Sequence, residues 1–371
     1  MVNLENYMVQ GEPDQRERGY IWHTAIGLQK ADGLTTSDFL VKTANKNING
    51  DITVDEARRL VEEYYVAKPV STEDKTRTDE ADIVSARISQ ILAEKTFSFS
   101  PVEYIAIHRR LFEGVYSYAG KIRDVNISKK EWVLNGATVY YASAGSIQDT
   151  LDYDFAQEKK SSYKGLTLTR TAENIAKFTS GLWQIHAFKE GNTRTTAIFV
   201  IKYLRTFGFD VTNDIFAENA WYFRNALVRA NYNHLKLGIY ATQEFLDRFF
   251  ANLLLGMSHP LRNRDLRVGA VVNGSVNDTE NDTVNDTVND TVNDTVTISD
   301  NQQKTLEELK RNPHATAKEI AGLTNISEIT VKRAFNALKE AGLIERVGSD
   351  KTGFWVVKGG ALMKDRETVV R

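Results

Sequence analysis

A four-residue repeat, Val-Asn-Asp-Thr, runs through residues 273–297 and constrains the fold more than any other feature. The repeat holds neither an aromatic nor a basic residue, so it cannot bury enough apolar surface to offset the entropy lost on ordering. We therefore expect a flexible linker over residues 268–298. N-glycosylation at its Asn-X-Thr triplets and a calcium-binding repeat are alternatives. The start of the chain lacks a secretory pattern and the repeat lacks the glycine spacing of calcium repeats, so we favour neither.

Composition excludes several classes of protein. The chain has 371 residues, 47 Lys and Arg against 49 Asp and Glu, and no cysteine. The missing cysteine excludes disulfide frameworks, thiolate nucleophiles and cysteine-ligated zinc, and the net charge of −2 excludes binding of nucleic acid through overall charge alone. No run reaches the ~18 apolar residues that a membrane helix needs. We expect a cytoplasmic protein that does not bind membranes.

Residues 1–267 carry mostly helical hydrophobic periodicity. Ser100-Pro101-Val102-Glu103 forms a helix-capping pattern with proline at the first helical position. Apolar spacing predicts further helices over residues 81–95, 171–185, 192–207, 218–230 and 240–255. The period breaks at residues 124–141, where Asn135-Gly136 joins two β-rich segments and predicts a hairpin. The expected fold class is therefore mainly α, a helical bundle interrupted by a β-hairpin.

One block of nine residues between two predicted helices holds the candidate chemistry: His186-Ala187-Phe188-Lys189-Glu190-Gly191-Asn192-Thr193-Arg194. A Gly-Asn turn before a helix presents backbone N–H groups to an anion, and Arg194 adds a guanidinium. Glu190 is suited to hold Mg²⁺ together with phosphate oxygens. His186, the only histidine nearby in sequence, could accept the proton of an attacking hydroxyl. The residues predict a nucleotide-phosphate site with a candidate base, and a plain helix cap is the simpler alternative.

The block closely resembles the signature loop of the Fic (Fic/Doc) family, and the resemblance covers roughly residues 78–255. It implies a Fic helical bundle that transfers AMP from ATP to a Ser, Thr or Tyr hydroxyl of a protein target, with self-modification included. On this resemblance His186 is the catalytic base, Glu190 places Mg²⁺ and Phe188 packs the loop. The residues that would bind the nucleotide are Phe188, Gly191, Asn192, Thr193, Arg194, Tyr222, Phe223 and Asn231.

Two further assignments follow from the resemblance. The hairpin would be a flap that aligns a target segment by strand addition, and its central residues are Lys129, Lys130, Glu131, Trp132 and Val133. For the last three nucleotide-binding residues, an ordinary core helix face remains an alternative. The family's second arginine is replaced by Ala197, which puts tight ATP binding in doubt and keeps other diphosphate donors open.

Residues 20–34 and 50–56 are similar to the small VbhA-type antitoxin that precedes some Fic domains. The inhibitory Ser/Thr-X-X-X-Glu-Gly pattern falls on Leu28, Asp32 and Gly33. Because Asp32 is shorter than glutamate and its usual arginine partner is absent, we expect residues 1–66 to cover the site of the Fic domain, residues 67–267, but to restrain it weakly. A helical layer that completes the core is the alternative.

Residues 45–56 hold the glycine and final glutamate of a calcium-binding loop. Asparagines replace the acidic ligands, so the coordinating charge is mostly missing. We expect a turn in which Thr53 caps the next helix.

Residues 299–371 predict three short helices followed by strands at 344–347 and 354–357, a pattern that resembles a winged helix-turn-helix. Residues 330–339 would be the helix that enters the major groove. This segment has 13 Lys and Arg against 10 Asp and Glu, a net charge of +3 that is weak for DNA. Phosphate contacts could come from Lys332, Arg333, Lys339 and Arg346. Dimerisation and docking of a target protein are the alternative roles of this segment.

The sequence therefore predicts a Mg²⁺-dependent protein adenylyltransferase that forms a homo-oligomer. The alternative is a DNA-binding regulator whose Fic domain senses a nucleotide or turns over weakly. The second hypothesis is favoured by Ala197 and by the C-terminal module, and the first by the intact block from His186 to Arg194.

Overall fold

The computed structural model describes residues 12–67, 77–209, 211, 214–269, 300–324, 326–340, 344–347 and 354–357. They fall into two compact units, one within residues 1–288 and one within residues 289–371. The repeat predicted as a linker lies outside the described residues. Both units are predominantly helical, as the sequence predicts. Across the described ranges, no helix is long and apolar enough to cross a membrane.

The first unit consists of helices joined mostly by short turns, with one long connection over residues 113–146. The α-helices are α1 (Pro13–Gly27), α2 (Asp38–Asn49), α3 (Val54–Ala67), α4 (Thr78–Ala93), α5 (Pro101–Phe112), α6 (Ile147–Lys160), α7 (Leu168–Ile185), α8 (Asn192–Thr206), α9 (Ile215–Glu218), α10 (Ala220–Ala230), α11 (Glu244–Leu255) and α12 (Asn263–Leu266). Short 3₁₀ segments span Leu28–Asp32, Trp132–Leu134, Ala144–Ser146 and Leu235–Leu237. The predicted cap of α5 is confirmed, because Ser100 Oγ accepts a hydrogen bond from the Glu103 N–H at 3.1 Å.

Helix α8 lies at the centre of this unit. Every residue from Asn192 to Leu204 is buried, and α4, α5 and α7 pack around it. Large aromatic side chains fill the space between these helices; Phe199, for example, contacts the rings of Tyr104 and Phe155. A helix buried on all sides has a fixed position. The loop between α7 and α8, which contains the predicted catalytic residues, is therefore held in place where it joins α8.

The N-terminal helices share this core. Ile21, Ala25 and Leu28 belong to the same cluster of buried apolar residues as the side chains around α8. A smaller neighbouring cluster joins α1, α2, α3 and α4. The boundary predicted between residues 66 and 67 therefore does not separate two cores.

The predicted β-hairpin is wrong: residues 124–141, all described, contain no β-strand. The Asn-Gly turn is present, since Asn135 and Gly136 have φ angles of 54° and 86°. However, Glu131 and Val133 are fully buried, which pulls the segment against the helices. The backbone of this segment therefore forms turn hydrogen bonds instead of a strand ladder. The Gly136 N–H, for example, donates to the Glu131 carbonyl at 3.0 Å. We call residues 124–141 the flap segment.

The calcium-loop resemblance at residues 45–56 resolves into a helix cap, as the sequence predicts. Gly50 ends α2 with φ 86°. Thr53 and Glu56 then cap α3 reciprocally: Thr53 Oγ1 accepts from the Glu56 N–H at 3.2 Å, and Glu56 Oε2 accepts from the Thr53 N–H at 2.7 Å.

The second unit has the predicted winged arrangement. It contains α13 (Asp300–Arg311), α14 (Ala317–Thr324), α15 (Glu328–Glu340), β1 (Ile344–Val347) and β2 (Phe354–Val357). The strands are antiparallel, with Ile344 opposite Val357 and Val347 opposite Phe354. Its core is formed by Leu306, Leu309, Ala315, Ala317, Ile320, Val331, Phe335, Leu338 and Ile344.

Candidate active site

The backbone of His186 adopts an uncommon conformation. His186 follows the last residue of α7 and has φ 49° and ψ 58°, in the left-handed region that non-glycine residues seldom occupy. Arg123 holds it there: its Nε donates to the His186 carbonyl at 2.7 Å, and its backbone N–H donates to the Ala187 carbonyl at 2.9 Å. A buried guanidinium thus fixes the start of the loop.

The imidazole of His186 is held by ring contacts. It stacks on Tyr141 with 4.0 Å between ring centroids and meets the edge of Trp183 at 5.3 Å. The side chain is buried, and neither ring nitrogen has a hydrogen-bond partner among the described residues. Burial, aided by the charges of Lys129 and two arginines, lowers the pKa of His186 well below 6.5. The ring is therefore neutral at pH 7, with an available lone pair.

A second histidine, distant in sequence, packs against the loop. His108 stacks on Phe188 with 3.7 Å between centroids. The Gly120 N–H donates to His108 Nδ1 at 2.9 Å, so Nε2 carries the proton and donates to the Glu190 carbonyl at 3.0 Å. Burial lowers the pKa of His108 to about 3. His108 is a neutral, fully bonded structural residue.

The side chains after Glu190 shape the loop. Asn192 Oδ1 accepts from the Phe188 N–H at 3.0 Å, and its Nδ2 donates to the Phe188 carbonyl at 2.7 Å. Thr193 Oγ1 accepts from Trp183 Nε1 at 3.0 Å. Gly191 caps α8 with φ 77°, and no side chain caps the helix. The N–H groups of the first turn of α8 therefore remain available to an anion.

Glu190 is held by the flap segment. Lys129 Nζ lies 3.0 Å from both of its carboxylate oxygens. Two residues later in the flap segment, Glu131 is fully buried and pairs with Arg224 of α10 at 2.7 Å. The Tyr141 hydroxyl also donates to Glu131, at 3.2 Å. Lys129 thus joins the flap segment to the loop, and Glu131 joins it to α10.

Arg194 is fully buried and faces the N-terminal region. Its Nε lies 2.5 Å from Asp32 Oδ2, and its Nη2 donates to Glu80 at 2.8 Å. The first contact lacks hydrogen-bond geometry and is an ion pair. Gln29 Oε1 accepts from Nη1 at 3.0 Å. Burial disfavours the ionised form of Asp32, but the positive charges of Arg194, Arg224, Lys129 and Arg77 together outweigh it and lower the pKa of that carboxyl.

This arrangement corrects one sequence expectation. Asp32 was expected to lack an arginine partner because Ala197 replaces the second arginine, yet it pairs with the first one, Arg194. Leu28, the first residue of the 3₁₀ segment that contains Asp32, is buried in the core, and Gly33 ends the segment with φ 69°. The N-terminal region therefore reaches the site through Asp32.

The other expected nucleotide residues lie in α10 or just after it. Phe223 is fully buried against Phe216 and Phe249, and the Tyr222 hydroxyl donates to the Phe245 carbonyl at 3.2 Å. Asn231 Nδ2 donates to Ser180 Oγ at 3.0 Å. Their packing matches the alternative raised from the sequence, a core helix face and its cap.

Several residues at the site escaped sequence analysis, namely Gln29, Glu80, His108, Arg123, Tyr141 and Arg224. Glu80, for example, lies beside Asp79 in the first turn of α4, where acidic residues are common at any helix start. Nothing in the sequence shows which loop such a residue meets.

Comparisons with known proteins find two families along the chain. Residues 98–204 match the Fic/DOC family, and residues 298–345 match the family described as winged helix-turn-helix DNA-binding. The protein adenylyltransferase VbhT of Bartonella schoenbuchensis is 30% identical over 108 residues, which are 29% of this chain and 21% of the relative. The chain thus spans about a fifth of the length of this curated relative.

Two solved structures are more distant. The BepC protein of Bartonella tribocorum with bound AMPPNP is 23% identical, with a TM-score of 0.33 over 42% of this chain and 74% of that one. A Fic family protein of Desulfovibrio desulfuricans G20 is 12% identical, with a TM-score of 0.40 over 97% and 94%. On the two family matches, the chain contains a Fic/DOC domain, which includes the loop from His186 to Arg194, and a winged helix-turn-helix domain after the repeat.

Proposed function

We propose that the Fic/DOC domain is a protein adenylyltransferase that transfers AMP from ATP to a Ser, Thr or Tyr hydroxyl of a protein and releases pyrophosphate. The observation that carries the proposal is the neutral, buried imidazole of His186, whose ring nitrogens have no partner among the described residues. Buried polar groups normally have a partner, so this exception suggests a group kept ready for a substrate.

In the proposed reaction, His186 takes the proton of the target hydroxyl. The hydroxyl oxygen then bonds to the α-phosphorus of ATP, and the bond from that phosphorus to the bridging oxygen breaks to release pyrophosphate. The N–H groups of the first turn of α8 stabilise the charge on the phosphate oxygens. Arg123 contributes by fixing the backbone that carries the imidazole.

We place Mg²⁺ on Glu190. Within the described ranges no cluster of three metal-binding side chains occurs, so the protein would supply one carboxylate and the phosphates and water would supply the rest. That donor set fits Mg²⁺, which favours one or two carboxylates plus phosphate oxygens. When bound, the ion would neutralise phosphate charge.

We also propose that the N-terminal region restrains the site through Asp32. Arg194 can bind a phosphate only after it releases Asp32 or Glu80, because both carboxylates lie on its guanidinium. A shortened carboxylate can therefore still compete with the nucleotide. Alignment of a target peptide by the flap segment remains part of the proposal, although by a route other than pairing with a preformed hairpin.

The test is incubation of the full chain with Mg²⁺ and ATP labelled at either the α- or the γ-phosphate, with bacterial lysate proteins as acceptors. We expect α-label on protein, the chain itself included, no γ-label, and no transfer by His186→Ala. Transfer of the γ-label would indicate a phosphotransferase instead. Absence of any protein-bound label would overturn the proposal.

A second candidate function concerns the winged helix-turn-helix domain. Lys332, Arg333 and Lys339 are exposed on one side of α15, opposite buried Val331 and Leu338. Such a basic face suits contact with DNA phosphates. The domain's match to a DNA-binding family favours a DNA-binding regulator. Failure to bind any duplex at low salt would exclude this role, because phosphate contacts strengthen as salt falls.

A further inference from the structure

The charges around the candidate active site are paired within the protein. Among the ion pairs there are those of Arg194 with Asp32, Arg224 with Glu131 and Lys129 with Glu190, at 2.5, 2.7 and 3.0 Å, and we compare these three. A nucleotide brings several negative charges to such a site. To bind one of these three cations, its phosphates must displace the carboxylate that the cation now contacts.

The three pairs differ in how readily they can exchange. Arg194 is fully buried and has two carboxylate partners, and the pair of Arg224 and Glu131 is also deeply buried, with 6% and 0% of the two side chains exposed. The side chains of Lys129 and Glu190 are 16% and 10% exposed. Lysine is also a flexible point charge that binds without a fixed fork geometry. The pair of Lys129 and Glu190 is thus the easiest to open.

This pair also contains the carboxylate on which we place the divalent cation. Once that ion takes Glu190, the ammonium of Lys129 loses its counter-charge and faces a second cation in a poorly solvated place. That state is costly unless an anion arrives, and the phosphates beside the first turn of α8 are the nearest source. Along α8, Ala197 is apolar and buried, so that position supplies no competing cation.

We propose that Lys129 is a phosphate-binding residue of the nucleotide site, held on Glu190 until a divalent cation takes that carboxylate. The inference rests on the proposed function, because it presumes that a nucleotide binds at α8. The consequence is that metal binding and nucleotide binding are coupled, because a metal on Glu190 releases Lys129 to bind the phosphates.

The test is a double-mutant cycle on the full chain, with AMPPNP affinity measured by calorimetry in EDTA and in Mg²⁺. Glu190→Gln frees the lysine without a metal, so we expect it to tighten metal-free binding by about tenfold, the usual size of one charged hydrogen bond. Adding Lys129→Met should remove that gain. Lys129→Arg in the same background should keep most of it.

A purely structural lysine gives a different pattern. If Lys129 only neutralises Glu190, or if Glu190 only repels phosphate, Lys129→Met will have no effect in the Glu190→Gln background, and the inference is overturned. Lys121→Met, which removes an exposed lysine whose Nζ donates to the Ser117 carbonyl, is the charge-matched control and should change affinity less than twofold. Thermal unfolding checks that every variant folds.

The cycle also separates this inference from the enzyme proposal. If the nucleotide binds with the expected lysine effects but no AMP is transferred, the inference is supported and the proposed adenylyltransferase activity is contradicted. No binding by the wild-type chain, even with Mg²⁺, would overturn both.

Discussion

Two buried histidines at the same loop differ in their hydrogen bonding. His108 bonds through both ring nitrogens, to the Gly120 N–H and the Glu190 carbonyl. His186 bonds through neither within the described residues and is held by the rings of Tyr141 and Trp183. Burial lowers the pKa of both, so both are neutral at pH 7.

This difference assigns His108 to the stability of the fold and His186 to the proposed chemistry. A buried donor or acceptor without a partner costs about 1–3 kcal/mol, whereas a satisfied one contributes to stability. The fold therefore gains from His108 and carries a cost at His186. Such a cost is typical of groups kept for a substrate. Replacing each histidine separately therefore tests the difference between them.

The largest expected effect is on catalysis at His186. Replacing His186 by Ala removes the base and should lower AMP transfer by roughly 10²–10⁴-fold, the usual contribution of a general base. Nucleotide affinity should hold, because the N–H groups of α8 are untouched. Transfer rate and AMPPNP affinity, measured side by side, check this. Equal losses in both would contradict a role confined to the proton.

The next effect is on stability at His108. His108→Ala removes two buried hydrogen bonds and the stack on Phe188, so the free energy of unfolding should fall by about 2–4 kcal/mol. Denaturant unfolding measures it. His108→Phe, which restores the stack alone, should recover part of the loss. At a temperature where it is folded, this variant should still transfer AMP. A loss of AMP transfer as large as that of His186→Ala would contradict a purely structural role for His108.

A pH effect of intermediate size follows from the pKa of His108. The folded-state pKa is about 3 and the unfolded value 6.5, so the unfolded chain binds a proton that the folded chain refuses. Stability therefore falls as the pH drops below 6.5, by at most about 1.4 kcal/mol per pH unit from this residue. His108→Phe should show a shallower decline between about pH 5.5 and 4.5. An unchanged slope would argue against the lowered pKa.

The smallest effect concerns the N-terminal restraint. Asp32→Asn removes one charge from Arg194 but leaves Glu80, so we expect AMP transfer to rise only several-fold, chiefly through a lower KM for ATP. Asp38→Asn, at an exposed position in the first turn of α2, is the control. No change in KM would show that Asp32 does not restrain the site. Deleting residues 1–66 is a poorer test, because Leu28 and its neighbours belong to the core.

Local patterns predicted much of this molecule. Capping residues such as Ser100 and Thr53 marked helix starts correctly, since a cap depends on neighbours three residues away. The wing strands follow from two short strand-like segments that flank a polar turn. Within the site, the loop itself was evident from nine adjacent residues.

Contacts between distant segments were not predictable in the same way. The flap segment fails to form a hairpin because buried Glu131 pairs with Arg224, which is 93 residues away in the chain. Likewise, Arg194 turns to Asp32 and Glu80 because the N-terminal helices pack into the same core. Tertiary packing overrode the local hairpin preference, and only packing reveals which carboxylate reaches which arginine.

The central claim is that His186 enters the reaction as a neutral base without a protein partner. The most direct measurement is ¹⁵N NMR titration of histidine-labelled protein, with the His186 signal assigned from its absence in His186→Ala. We predict that the imidazole of His186 stays neutral at pH 6.5 and takes up a proton only well below it. A midpoint at or above 6.5 would contradict the account.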